Sequence, residues 1–199
     1  MKTKEQIVRE KNWDKLALIL IKRWNLDKSL NTGDVVLDFG CGQGVFTNIL
    51  AKKFAKCYFI GFDIADKELE KAKNWYHRKN LKFVEKLPLK YDAIISTFSF
   101  HETKNLSKEL KIIYSKLRNN GKIFIYDFRK NTKAKFKKVY QNNPNPKKGS
   151  FEEEYKEHNR WNLKKFENMM TKVGFNKILI KPHKDNFLFY IGEKQRNKK

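Results

Sequence analysis

Val35-Val36-Leu37-Asp38-Phe39-Gly40-Cys41-Gly42-Gln43-Gly44 passes from a short apolar run into three glycines at alternate positions. A run such as Val35 to Leu37 suits a parallel strand buried on both faces. Beyond Gly44 the apolar residues Val45, Phe46, Ile49, Leu50 and Phe54 recur at helical spacing. Strand, glycine turn and helix together open a βαβ unit. Glycine there lets the backbone approach a ligand, since no Cβ intrudes and positive φ is free. The helix start just beyond presents unpaired N–H groups to whatever lies over the turn. Dinucleotide binders carry G-x-G-x-x-G at this point, but here Val45 stands where the third glycine belongs.

What the chain has instead is an acidic residue followed by G-x-G-x-G. That pattern resembles the first motif of the class I S-adenosylmethionine-dependent methyltransferases. The resemblance implies S-adenosylmethionine as cofactor, held around Asp38, Phe39, Gly40, Cys41, Gly42 and Gly44. The alternative is a tight strand-to-helix turn with no ligand.

A second buried strand, Cys57 to Phe62, ends in Asp63, 19 positions beyond Gly44. A carboxylate at about 20 positions can accept hydrogen bonds from both ribose hydroxyls in such folds. Its competing role is a helix N-cap, although Asp66 offers a second cap candidate. Gly61 to Ala65 and Leu69 to Lys73 resemble the family's second motif, which places Ile64 against the adenine. A third strand, Leu81 to Val84, precedes Glu85, which the resemblance offers to the adenine amino group and the residues alone read as an exposed loop.

Asp92 to Ser96 is the fourth strand, followed by Thr97-Phe98-Ser99-Phe100-His101-Glu102. This resembles the family's fourth motif and implies that Ser96 and Phe98 lie at the cofactor. Aromatic rings there can attract the sulfonium cation, or simply pack under the next helix. His101 suits a base near neutral pH, or a hydrogen-bonded loop histidine. The next helix, through Leu106, Leu110, Ile113 and Leu117, is expected to stop at Asn119-Asn120-Gly121. A fifth strand, Lys122 to Asp127, follows. Ligands in parallel α/β sheets bind at the carboxyl ends of strands, which makes Tyr126 and Asp127 catalytic candidates beside His101.

The chain has 199 residues, enough for one domain with a sizeable core. Its longest apolar run, Leu16 to Ile21, is too short to span a bilayer. The start, MKTKEQ, lacks the apolar region of a signal peptide. Cys41 and Cys57 form neither a disulfide framework nor a zinc pattern. A reduced, cytoplasmic protein without a membrane partner is therefore expected. Lys and Arg number 45 against 22 acidic residues, net +23, which favours polyanionic partners. Only seven of the 45 are Arg, however, and Arg is the usual choice for planar phosphate and base contacts.

Thr3 and Gln6 have capping-box spacing, and Trp13, Leu16, Ala17, Leu20 and Trp24 fall on one helix face. Residues 1–30 read as a helix that covers the sheet or, by the resemblance, closes over the cofactor. Residues 31–193 form the methyltransferase domain, and 128–161 an inserted basic or lid segment. Within it, residues 128–150 carry eight Lys or Arg and no acidic residue, with Pro144, Pro146 and Gly149 towards the end. Asn162 caps a last helix that stops at Gly174. Phe175 to Lys181 and Phe187 to Gly192 make an antiparallel hairpin, and residues 194–199 a disordered tail.

The expected architecture is thus α/β: a Rossmann-like methyltransferase fold, mostly parallel and seven-stranded, with a C-terminal antiparallel hairpin and helices on both faces. Methyl transfer from an already activated cofactor needs positioning and, for some acceptors, proton removal, so no metal is required. The expected acceptor is an unidentified small molecule; the basic segment either docks an anionic one or is a solvated loop. RNA methylation and non-catalytic S-adenosylmethionine binding are the alternatives.

Overall fold

A computed structural model describes residues 2–87, 90–141 and 150–195. Helix α1 (Lys4–Arg23) starts at Thr3, whose hydroxyl accepts the Gln6 N–H, and it is followed by the short α2 (Leu26–Ser29). Strand β1 (Val35–Phe39), α3 (Val45–Lys53), β2 (Tyr58–Phe62), α4 (Asp66–Trp75) and β3 (Leu81–Val84) form the first half of the sheet. Strand β4 (Tyr91–Thr97), a 3-10 turn (Phe100–Glu102), α5 (Leu106–Lys116) and β5 (Leu117–Phe128) follow. Then come α6 (Lys133–Gln141), α7 (Phe151–His158), α8 (Leu163–Val173), β6 (Phe175–His183) and β7 (Phe187–Lys194).

The seven strands lie in the order β3-β2-β1-β4-β5-β7-β6. The first five are parallel, and β7 runs against both β5 and β6. The strand order reverses at β1, which pairs with β2 on one side and β4 on the other. A crevice opens at such a switch point, beyond the carboxyl ends of the strands.

Alternation along each strand divides the core between the two faces. Val36, Ile95, Phe124 and Tyr126 meet α1 and α3 through Leu20, Trp24, Phe46 and Leu50. Leu37, Ile94, Ile123 and Ile125 meet α5 and α8 through Leu110, Ile113, Phe166 and Met170. Helix α4 covers the β2–β3 edge with Leu69 and Ala72 against Phe83.

Four local expectations are corrected. The Asn119-Asn120-Gly121 turn does not end a helix; α5 stops at Lys116, and the turn is a bulge inside β5. Between the pairs Tyr91–Leu117 and Ala93–Lys122 the β5 side has extra residues, and Asn120 takes φ 62° to absorb them. Asp66 is the first helical residue of α4, with Ala65 at the cap position. The acidic stretch after the prolines is helix α7 (Phe151–His158), started by a Ser150–Glu153 capping box, whereas Pro144, Pro146 and Gly149 lie outside the described residues. Lys194 belongs to β7 rather than to a loose tail, and residues 196–199 lie outside the described residues.

Lys194 is held because its ammonium donates to the carbonyls of Tyr114 and Leu117, at 2.8 and 2.9 Å, and lies over the Tyr114 ring. A cation at the carboxyl end of α5 satisfies orphan carbonyls and complements the helix dipole. Lys194→Met is expected to cost roughly 1–2 kcal/mol. A lower urea midpoint at unchanged slope would show it.

Candidate functional site

The glycine turn folds back onto the end of β2, where the Gly40 and Cys41 N–H groups both donate to the Phe62 carbonyl. Gly40 has φ 77°, and a Cβ built on it would lie 2.2 Å from Ser99 Oγ, so the loop after β4 seats directly on the turn. Gly42 has φ 51° and faces open space, with nothing within 4 Å of its would-be Cβ. Its N–H donates to Asp63 Oδ2 at 2.7 Å, while Asp63 Oδ1 accepts the Ala65 N–H at 2.9 Å. One carboxylate therefore ties the glycine turn to the start of α4.

Asp38 is buried at the end of β1. Its Oδ2 accepts from the Thr47 hydroxyl at 2.6 Å, and its Oδ1 has no partner among the described residues. Burial, with Asp63 nearby, pushes its carboxyl up to about 7 against the Thr47 hydrogen bond. Burial likewise pushes the Cys41 thiol well up, so this cysteine stays a neutral thiol.

Two neighbouring cavities meet at this turn. One, of about 320 Å³, is lined by Asp38, the Gly40–Gln43 backbone, Asp63, Thr97 and Phe98, and is covered by Arg9 and Trp13 of α1. The other, of about 530 Å³, is lined by Phe39, Phe62, Ile64, Ser99 and Asn105, and shares Gly40, Asp63, Phe98 and Glu102 with the first. Ile64 is 87% exposed, an unusual state for isoleucine that leaves its side chain open to the second cavity. Phe98 adopts φ 53°, a costly conformation for an aromatic residue. Its ring centroid lies 5.1 Å from Tyr126, 5.5 Å from Phe128, 5.7 Å from Phe187 and 6.2 Å from Trp13.

The structure thus gathers Asp38, Phe39, Gly40, Cys41, Gly42, Asp63, Ile64 and Phe98 around one space. Gly44 lies behind the turn against Phe83 and Ala72. Ser96 is buried inside β4, with its Oγ unpartnered, and lines neither cavity. Glu85 is exposed, pairs with Lys73 at 2.6 Å and also lines neither. Arg9 escaped the sequence reading, and Trp13 read there only as part of a packing face. Only the seating of α1 on α3, with Trp13 stacked 5.2 Å from Phe46, brings them over the turn.

His101, Tyr126 and Asp127 form a buried polar layer beside this space. Asp127 is fully buried and accepts from the N–H groups of Phe100, His101 and Phe128 and from His101 Nδ1 at 2.8 Å. The His101 ring stacks on His158 of α7 at 4.4 Å and touches neither cavity. Burial alone pushes this imidazole down, but Asp127, and Glu102 behind it, hold it up to about 9. The buried carboxylate beside it favours the protonated ring. The Tyr126 hydroxyl bonds His183 Nδ1 at 2.8 Å, and burial pushes the phenol above its ordinary value. Among the described residues no group of three or more His, Cys, Asp or Glu stands ready to hold a metal ion, and no helix is long and apolar enough to cross a membrane.

Comparison with known proteins agrees with this geometry. Residues 9–180 match the family model described as a methyltransferase domain. An uncharacterized protein of Methanocaldococcus jannaschii is 31% identical, covering 92% of this chain and 85% of the other. A malonyl-[acyl-carrier protein] O-methyltransferase of Bacillus cereus is 30% identical over 61% of this chain and 46% of its own length. The chain therefore spans about half the length of the first curated relatives it matches. A Haloferax volcanii methyltransferase structure, described as putative and solved with the Trm112 activator, superposes with TM-score 0.70 at 14% identity, over 96% of this chain and 95% of the other. The chain belongs to the class I S-adenosylmethionine-dependent methyltransferases. The cofactor of that class is S-adenosylmethionine.

The raised pKa of His101 sets a direction for stability. A group whose folded pKa exceeds its unfolded value stabilises fully below the unfolded pKa, near 6.5, and loses that contribution as pH rises through about 9. The stability gap between the wild type and His101→Asn should be largest below pH 6.5, at most about 3 kcal/mol. It should close towards high alkaline pH. Urea denaturation of both proteins across that range measures it, and a gap that grows with pH would contradict the ion pair.

Proposed function

We propose that this chain transfers the methyl group of S-adenosylmethionine to a small-molecule acceptor approaching over Phe98 from the side of Phe128 and Phe187. The observation that carries the reading is Asp38. A buried carboxylate with one unpartnered oxygen at a cavity is costly unless a ligand supplies a hydrogen-bond donor. An ammonium group, such as the one at the methionine end of the cofactor, meets that need. Asp63 still has lone pairs for the ribose hydroxyls, and Phe39 and Ile64 supply an apolar wall for the adenine. When bound, the cofactor supplies an already activated methyl group.

The remaining work is alignment. The strained Phe98 presents its ring between the cofactor space and the aromatic surface of Tyr126, Phe128 and Phe187. His101 and Asp127 support it as positioning residues, because they fix the 100–102 turn and touch neither cavity. Arg129, just past β5, has a buried Nε without a hydrogen-bond partner, which supports an acceptor carrying negative charge. The basic segment supports this less than its composition implied, since Lys133 pairs with Glu152 and Lys135 with Asp185.

Relatives include a malonyl-[acyl-carrier protein] O-methyltransferase and a ubiquinone/menaquinone biosynthesis C-methyltransferase, so the domain serves chemically different acceptors. The net charge of +23 supports RNA as a second reading. Incubating the protein with methyl-labelled cofactor and a cell extract separates the two. Label in a small-molecule fraction insensitive to nuclease and protease supports the first, nuclease-sensitive label the second, and no transfer at all overturns both.

Cofactor affinity should carry the signature of Asp38. The carboxylate must ionise to pair with an ammonium, so affinity should rise from about pH 6 to about pH 8. Asp38→Asn should weaken binding at least about ten-fold and flatten that rise. Asp63→Ala should cost roughly 1–3 kcal/mol, part of it from loosening the Gly42 turn. Calorimetry showing unchanged affinity in both folded variants would remove the assignment.

A further inference from the structure

Helix α1 has two faces, and the function above uses only the inner one. Its outer face carries Ile7, Val8, Leu18 and Ile19, which are 53%, 55%, 66% and 38% exposed. Between them stand Lys4, Lys11, Lys15 and Lys22, all exposed and without an ion pair among the described residues. At 3.6 residues per turn these eight side chains fall within about 120° of one another. No acidic residue lies inside that arc, and Asp14 stands at its edge. Single exposed aliphatic residues are ordinary, but four along one face of a 20-residue helix form a stripe.

We propose that this face lies on an anionic lipid surface, with α1 parallel to the membrane plane. Aliphatic side chains interleaved with lysines are the chemistry of an interfacial helix. The apolar groups enter the headgroup boundary while the long lysine stems keep their charges at the anionic headgroups. Such contact needs no membrane-spanning segment. A second copy of the chain fits the face poorly, because a two-fold interface would bring eight lysines together with no acidic partner. Nucleic acid fits poorly too, since the arc holds no aromatic ring or Arg and would set four aliphatic groups against phosphates. The inner face of the same helix places Arg9 and Trp13 over the glycine turn, so the docked helix would hold the candidate site next to the membrane.

Co-sedimentation of the full chain with vesicles tests this. Phosphatidylcholine vesicles containing phosphatidylglycerol should bind at least about ten-fold better than phosphatidylcholine alone, and added salt should weaken the binding. The quadruple variant Ile7→Gln, Val8→Gln, Leu18→Gln and Ile19→Gln should lose about ten-fold while melting like the wild type. Lys4→Gln, Lys11→Gln, Lys15→Gln and Lys22→Gln together should lose as much. The same charge removed elsewhere, by Lys52→Gln, Lys82→Gln, Lys86→Gln and Lys90→Gln, should leave most of the binding. Equal loss in that control would assign any binding to diffuse charge and overturn the proposal. So would no preference for anionic vesicles, full binding by the apolar variant, or light scattering showing a dimer that the apolar variant abolishes.

Discussion

A single buried carboxylate, that of Asp127, holds the ends of β4 and β5 together beside the candidate site. It accepts three backbone N–H groups and the Nδ1–H of His101. A lone carboxylate without solvent would be strongly disfavoured; four donors, the His101 imidazole N–H among them, offset that cost. The consequence is geometric. The chain leaving β4 is drawn back across the end of β5, Phe98 is kept in its strained conformation, and the His101 ring becomes the surface on which His158 of α7 rests. Two stacked imidazoles and one aspartate thus link α7 to the end of β5, beside the Arg160 guanidinium, which donates to the carbonyls of His101 and Thr103.

Asp63 performs the corresponding service on the cofactor side. Its two oxygens join the glycine turn to the start of α4, so the residue expected to meet the ribose also shapes the wall around it. Ribose binding and turn support are compatible because each carboxylate oxygen accepts more than one hydrogen bond. Asp38 differs from both. It is buried with one oxygen unsatisfied, and its carboxyl is driven up to about 7. A buried carboxylate left this way at a cavity is the feature on which the proposed ammonium contact rests.

The same helix that covers the cavity at the glycine turn presents lysines and aliphatic side chains outward. Its inner residues are fixed by packing on α3 and the sheet, as with Leu20 and Trp24, which are almost entirely buried. Its outer residues owe nothing to the core. That division explains why Trp13 read in the sequence as part of a packing face, although it also lines the cavity at the glycine turn.

Local patterning was enough to reveal the βαβ start, the glycine turn, the carboxylate after β2, the inner face of α1 and the terminal hairpin. Each depends on residue period or on a conformation that few residues adopt, and such signals are local. The Asn119-Asn120-Gly121 turn was legible as a turn, but whether it ended a helix or bulged a strand depended on pairing with β4 across the sheet. Glu85 and Asp63 both follow a strand as acidic residues, yet only Asp63 faces the glycine turn, because β2 and not β3 pairs with β1. His101 carried no sequence mark of its burial or of its carboxylate partner. These were decided by Asp127, 26 residues away, and by a helix whose His158 covers the ring; both are contacts that exist only once the sheet and its crossovers have formed.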